Sequence, residues 1–329
     1  NMIKKIVPIL CFVLVITQVS YGAFNMINSS ARALGMGNAF VAVADDINCL
    51  LDNPAGLVNL KSWEATFTAT KIAWGVDNMG EGFIAGGVPL KGLGAVGAGY
   101  YNFSHPLYSE NVFYFAFSMP VPLLMKSSAS ISAKYLTKSY TANDWTNSAL
   151  NPDFTALSKS NFSIGASMYT MVNKDFSLGL FVDDINSPDV GAFSVEALPI
   201  TARLGLNYFM DKSTFITLEG YTRGRDNRVY FGGENSAFKT GNFGVVLIRV
   251  GGGAGNNGYL NLTAGLGYKF NIPYMGVGGQ FDYGFQLPMN FVSGSSGNHM
   301  VSLTIREKYK ELLNIGASKE SDAENNGAK

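Results

Sequence analysis

Charge is scarce in this 329-residue chain: Asp, Glu, Lys and Arg make up 15% of it, against about 25% in soluble domains. The 24 basic and 24 acidic residues cancel, so there is no basic footprint for nucleic acid. Cysteine is nearly absent, with only Cys11 and Cys49. Cys11 falls in the leader described below, so Cys49 has no intramolecular partner and a disulfide framework is excluded. The two histidines, His105 and His299, have no Cys or carboxylate at metal-ligand spacing, so no metal is expected. No Ser/His/Asp set is recognisable either, and neither enzymatic activity nor a cofactor is expected. Beyond residue 22 the sequence has no unbroken apolar run of the roughly 18 residues that a spanning helix requires, which excludes a helical membrane protein.

What is present begins with a leader. Lys4 and Lys5 precede the apolar stretch Ile6–Ile16, and Ser20-Tyr21-Gly22 places small residues at −3 and −1. Residues 1–22 therefore read as a secretory signal, with the mature chain starting at Ala23. The rest is rich in glycine (38 residues) and aromatics (13%). Period-two alternation is clear in three places. Ile200, Ala202, Leu204, Leu206 and Tyr208 alternate with Thr201, Arg203, Gly205 and Asn207. Leu260, Leu262, Ala264, Leu266, Tyr268 and Phe270 do so against Asn261, Thr263, Gly265, Gly267 and Lys269. Val301, Leu303 and Ile305 do so against Ser302, Thr304 and Arg306.

A secreted, charge-poor chain without spanning helices can cross a membrane only as a closed barrel, because lipid leaves strand edges unsatisfied. The expected fold is all-β: a 14-stranded antiparallel transmembrane barrel. Its strands lie near 62–74, 80–89, 93–102, 110–119, 127–139, 160–171, 175–184, 197–209, 213–222, 228–234, 242–250, 258–270, 274–286 and 298–306. Connections after even strands are mostly short and those after odd strands mostly longer, the pattern of periplasmic turns and outer loops. Both termini then lie in the periplasm. A polar tail, 307–329, follows the last strand.

The most informative stretch is Ser29–Leu60, SSARALGMGNAFVAVADDINCLLDNPAGLVNL. It resembles the N-terminal hatch of the fatty-acid-transporter (FadL-like) barrels and of the related PorV/PorQ-like family. Both groups carry a run of the type R-x-L-G-M-G-x-A-F-x-A-x-A-D-D followed by N-P-A-G-L. Two late segments, Leu198–Gly205 and Gly297–Leu303, resemble PorV/PorQ-like strands. The resemblance implies a fourteen-stranded barrel with residues 23–61 as a hatch inside the lumen and residues 62–306 as the wall. It departs from the family at the end, where such barrels commonly finish on an aromatic strand residue.

The residues that carry the hatch motif are Arg32, Gly35, Gly37, Asp45, Asp46, Asn53, Pro54, Ala55 and Gly56. Asn53-Pro54-Ala55 reads as a tight turn, since Pro fixes φ and Asn bonds its own backbone onward. Strand parity puts Glu64, Lys134, Arg203, Glu219, Lys269 and Arg306 in the lumen. A charge in a narrow lumen must be paired or hydrated. Asp45, Asp46 and Asp52 are expected to pair with some of these lumen bases and hold the hatch; solvation in a wet lumen is the alternative. Gly94, Gly97 and Gly99 lie in a glycine-rich pair of strands and mark a candidate lateral gate, or else close packing of the hatch against a thin wall. Gly92–Gly97 matches a dinucleotide fingerprint in form, but strand follows it where a helix is needed, so that reading is rejected. Arg223-Gly-Arg-Asp-Asn-Arg228 reads as a basic outer loop, and Asp183-Asp184 as a loop cap at the outer end of the seventh strand. Trp63 and Trp74 have opposite parity within the first strand.

Two function classes follow. In one, a hydrophobic small molecule diffuses through a hatch-gated lumen. In the other, the barrel is a PorV-like secretion component and its partners are secretion-machinery proteins. Either way the expected surroundings are outer-membrane lipid, and the expected state is a monomer.

Overall fold

The computed structural model describes residues 23–25, 30–75, 78–121, 125–141, 157–192, 194–240, 244–256, 258–272, 274–290 and 295–309. The leader and the tail beyond Tyr309 lie outside the described residues. Fourteen strands form one closed antiparallel barrel. They are β1 (Glu64–Lys71), β2 (Gly80–Leu90), β3 (Gly94–His105), β4 (Tyr108–Val121), β5 (Lys126–Tyr140), β6 (Leu157–Met171) and β7 (Phe176–Asp183). There follow β8 (Thr201–Phe209), β9 (Thr214–Arg223), β10 (Asp226–Lys239), β11 (Gly244–Gly255), β12 (Leu260–Ile272), β13 (Val277–Pro288) and β14 (Asn298–Glu307). Each strand pairs with its chain neighbours, and β1 closes on β14 with Glu64 opposite Arg306 and Lys71 opposite His299.

Connections after even strands are three or four residues long throughout. Those after odd strands range from two residues to seventeen, the longest joining β7 to β8. Two of them are tighter than expected, because β3–β4 and β9–β10 turn on two residues each, Pro106-Leu107 and Gly224-Arg225. The expected basic outer loop at 223–228 is therefore a hairpin tip, and Arg223 and Arg228 belong to strands. β1 is also shorter than expected. Trp63 and Trp74 fall just outside it, both exposed, so strand parity does not apply to them.

Burial alternates along the strands because successive side chains point to opposite faces. In β1, Glu64, Thr66, Thr68 and Thr70 are buried while Ala65 and Phe67 are exposed. Around the barrel the outward set includes Phe67, Ile84, Phe115, Ile131, Leu218 and Leu266, each more than half exposed. An apolar belt of this extent is unusual on a protein surrounded by water. Tyr101 and Tyr114 face inward and are 1% and 4% exposed.

Residues 30–60 pack on the inner face. These form helix α1 (Ala31–Gly35), a turn of helix α2 (Cys49–Asp52) and a 3₁₀ segment (Pro54–Asn59). Such short helices do not stand alone in water. Here α1 packs on β11–β14 and the 3₁₀ segment on β2–β6. Met36, Phe40, Ile47, Leu50 and Leu57 form a core with the inward Tyr101, Val112, Tyr114 and Leu136.

Candidate functional site

The hatch is held to the wall by charge and by close backbone approach. Ser30 caps α1, its Oγ accepting from Ala33 N at 3.2 Å. This fixes Arg32 on the buried side of the helix, 3% exposed. Its guanidinium donates to Asp45 Oδ1 at 2.5 Å and Asp46 Oδ2 at 2.8 Å within the hatch. It also reaches Glu234 of β10, with Nε to Oε2 at 2.8 Å and Nη2 to Oε1 at 3.0 Å. Arg249 Nε donates to Glu234 Oε2 at 2.6 Å, and Arg249 Nη1 lies 2.7 Å from Asp282 Oδ1. The cluster thus alternates in sign from the hatch to β13. Burial alone would raise the Asp46 carboxyl. Arg32 and Arg306 outweigh it, with hydrogen bonds from Arg32 and Asn48, and hold it below its ordinary value of 3.8.

A second cluster sits on the other side. Arg203 pairs with Asp52 of the hatch and donates from Nε to Glu219 Oε1 at 2.5 Å. Its Nη2 donates to Asn38 O at 3.0 Å. Glu219 Oε2 accepts from the hatch amides of Phe40 and Val41, both at 3.0 Å. Glu64 Oε2 accepts from Ile47 N at 3.1 Å and from Arg306 Nη2 at 2.9 Å. Asp52 therefore meets a lumen base, as its residue type suggests. Asp45 and Asp46 do not: their partner is Arg32, and Arg32 in turn engages a wall acid. Lys134 bonds Asp183 and Asp184 at 2.7 and 2.6 Å, so the acid pair at the end of β7 holds an internal ammonium. Lys269 faces the Tyr309 ring at 5.8 Å. Glu234, Arg249 and Asp282 were not among the sequence candidates, although Arg249 lies between the outward Ile248 and Val250 and Asp282 follows the outward Phe281, the parity that exposed Arg203.

The Asn53-Pro54-Ala55 turn is a clamp on the wall. Asn53 Nδ2 donates to Val41 O at 2.8 Å and to Met168 O at 3.1 Å. Ala55 N donates to Ser167 Oγ at 2.9 Å, and Ala55 O accepts from Ser118 and Ser128 hydroxyls at 3.0 and 2.7 Å. Gly56 lies against Ala44, where a Cβ would fall 2.4 Å from its carbonyl oxygen. Gly35 meets Gly265 of β12, leaving 2.9 Å between an added Cβ and the Gly265 Cα. Gly37 adopts φ +69° with Gly252 backbone 2.5 Å from where its Cβ would be, so both conformation and space require glycine.

The glycines of β3 are placed differently. Gly97 faces inward on Leu50 and Leu57, and Gly99 lies beside Phe83 and Ala85. Gly94 begins the strand at φ +137° against Ser118 O. The β2–β3 ladder runs without a break across all three, and the β3–β4 ladder, which begins at Ala95, across Gly97 and Gly99. Behind Gly97, the barrel exterior carries an open apolar depression of about 760 Å³ bordered by Val88, Phe115, Phe117 and Ile131.

At the long-connection end, a cavity of about 350 Å³ lies over the hatch. Its floor is Asn38, Leu51 and Asp52, and its sides include Phe181, Arg203, Tyr221, Arg223, Arg228 and Tyr259. Arg228 stacks over the Tyr259 ring at 4.0 Å and pairs with Asp226. Arg223 is buried and donates to Ala23 O at 2.7 Å. The supposed loop bases are therefore part of the cavity wall. No metal-holding cluster of His, Cys, Asp and Glu occurs among the described residues; His299 instead bonds Tyr283 and packs on Trp74 and Phe285.

No protein-family model matches the chain, and no curated protein matches it by sequence. Solved structures do match in fold. The toluene transporter TbuX of Ralstonia pickettii superposes with a TM-score of 0.60 at 10% identity, over 87% of this chain and 100% of that one. The toluene transporter TodX of Pseudomonas putida gives 0.59 at 9% identity, over 88% and 100%. A Pseudomonas aeruginosa FadL homologue gives 0.53 at 10% identity, over 86% and 98%. The chain therefore has the fold of the FadL-like barrels, as its hatch motif implies.

Proposed function

We propose that this chain is an outer-membrane channel through which hydrophobic small molecules diffuse, gated by the hatch. The observation that carries the reading is a cavity of about 350 Å³ whose floor is the hatch itself. A volume of that order holds one small ring-bearing molecule. Its aromatic sides, Phe181, Tyr221 and Tyr259, offer apolar contact, while Arg203 on its wall is bonded to Asp52 on its floor. A molecule entering from the long-loop end lands on the residues that hold the hatch. Two solved barrels of the same fold are toluene transporters. The apolar exterior suits lipid, and an asymmetric outer membrane is the setting in which such a channel is needed. Passage is down a gradient. The unbroken β2–β4 ladders support an exit along the lumen over one through the wall at Gly94–Gly99.

The test is uptake of radiolabelled toluene and oleate by cells whose lipopolysaccharide-bearing outer membrane contains this chain. Thr201→Trp, on the cavity wall, narrows the space. Uptake above the empty-membrane level that falls back with Thr201→Trp supports the proposal. Uptake no higher than that of cells lacking the chain refutes it.

A further inference from the structure

Among the described residues, the hatch does not cover the whole short-turn end of the lumen. Its 3₁₀ segment lies there on one side only, where Ala55 meets Ser118, Ser128 and Ser167 near the ends of β4, β5 and β6. On the opposite side α1 sits deeper in the barrel, against Gly265 and Gly284, well away from the β12–β13 turn. The inner face below it belongs to Val245, Lys269, Gln280 and Thr304, which lie side by side across β11–β14.

The chain covers that face itself. After β14 ends at Glu307, Lys308 N donates to Gly276 O at 3.2 Å. Tyr309 and Asn271 then exchange two hydrogen bonds, Tyr309 N to Asn271 Oδ1 at 2.8 Å and Asn271 Nδ2 to Tyr309 O at 3.0 Å. The side chain turns into the barrel and is 4% exposed. Its ring clusters with Val245 and Leu247 and lies under the Arg306 guanidinium at 5.0 Å. Gly278 leaves the slot for it: a Cβ there would fall 2.7 Å from the ring. Among the described residues the buried phenol oxygen has no hydrogen-bond partner. The ring, not the hydroxyl, is what this arrangement uses.

We propose that Tyr309 is a second barrier in the lumen, closing the exit on the side the hatch leaves uncovered. Passage then requires two events, displacement of the hatch and withdrawal of Tyr309. This rests on the channel reading above, and it assigns a role to residues where the chain departs from the family pattern.

The test uses the purified full chain in planar bilayers, with potassium and chloride ions as the probe. Tyr309→Ala should raise single-channel conductance several-fold, and Tyr309→Phe should leave it at the wild-type level. Gly278→Val, which fills the ring's slot and leaves Tyr309 in place, should act like Tyr309→Ala. Alkylation of Cys49, buried in the hatch, should proceed at the wild-type rate in all three. Unchanged conductance in both Tyr309→Ala and Gly278→Val overturns the proposal. A rise accompanied by faster Cys49 alkylation also overturns it, because Tyr309 would then be a prop for the hatch and not a separate barrier. Ion conductance is independent of cargo. Raised conductance without toluene or oleate uptake would refute the channel reading and leave the barrier in place.

Discussion

Replacing Arg32 with alanine should free the hatch. The side chain is 3% exposed and bonds three carboxylates at once. Those carboxylates do not lose equally. Asp45, about half exposed, can be hydrated. Glu234 keeps Arg249, and Asp46 keeps its bonds from Asn48 and the more distant charge of Arg306. Breaking a buried ionic cluster by removing one partner costs about 3–5 kcal/mol. With Asp45 rescued by water and Glu234 still paired, the low end applies, about 3 kcal/mol, or about a hundredfold in the equilibrium between seated and released hatch. Cys49 reports that equilibrium. Its thiol is buried, and burial holds it well above its ordinary pKa. Maleimide can reach it only when the hatch leaves, so its labelling rate follows the open fraction. Peptide mapping identifies the labelled cysteine. Arg32→Ala should label about a hundred times faster than wild type, while the barrel keeps its heat-modifiable migration. Equal labelling rates in a folded barrel would show that the ion cluster does not hold the hatch.

Three further outcomes are expected. Glu219→Gln, which sets an amide N–H against Arg203 or against the Phe40 and Val41 amides, should cost about 1–3 kcal/mol of hatch seating and show as faster Cys49 labelling. Gly232→Val should prevent seating while the barrel still closes, since even a Cβ would lie 2.2 Å from Met36 O; protease should then cut within 30–60 in folded barrels. Asp46 titrates below its ordinary value in the folded state, so its contribution is complete above 3.8 and is lost as pH falls through the lower folded value. Pepsin cleavage of the hatch should therefore increase as pH drops from about 4 toward about 2.

The wall was legible because a strand has period two and lipid and lumen select opposite chemistries. Fourteen strands overlap the expected segments, and Arg203, Glu64 and Glu219 point inward, the side opposite their lipid-facing neighbours. The errors lie where alternation gives way to turn geometry. Arg223 and Arg228 looked like loop residues because Gly224 and a cluster of charges interrupt the pattern, yet a two-residue turn lets both strands continue and carries the bases into the cavity. Glu234 ended the expected tenth strand, so its inward position went unused. The Arg32–Glu234 contact joins positions 202 residues apart; it depends on how α1 sits against β11–β14, which no local pattern encodes. The glycines were ambiguous for a physical reason. A missing side chain serves equally for a kink or for a close neighbour, and at Gly97 the neighbours are Leu50 and Leu57. The two late segments that resemble PorV/PorQ-like strands lie at β8 and β14, where their alternation serves the lipid-facing and lumen-facing sides of any such barrel.

The most direct test of the channel reading is native mass spectrometry of the barrel released gently from its own membrane. The account predicts one hydrophobic small molecule per barrel, absent from the Thr201→Trp variant. An empty barrel carrying a stoichiometric protein partner would contradict it and make the chain a component of a secretion or assembly machine.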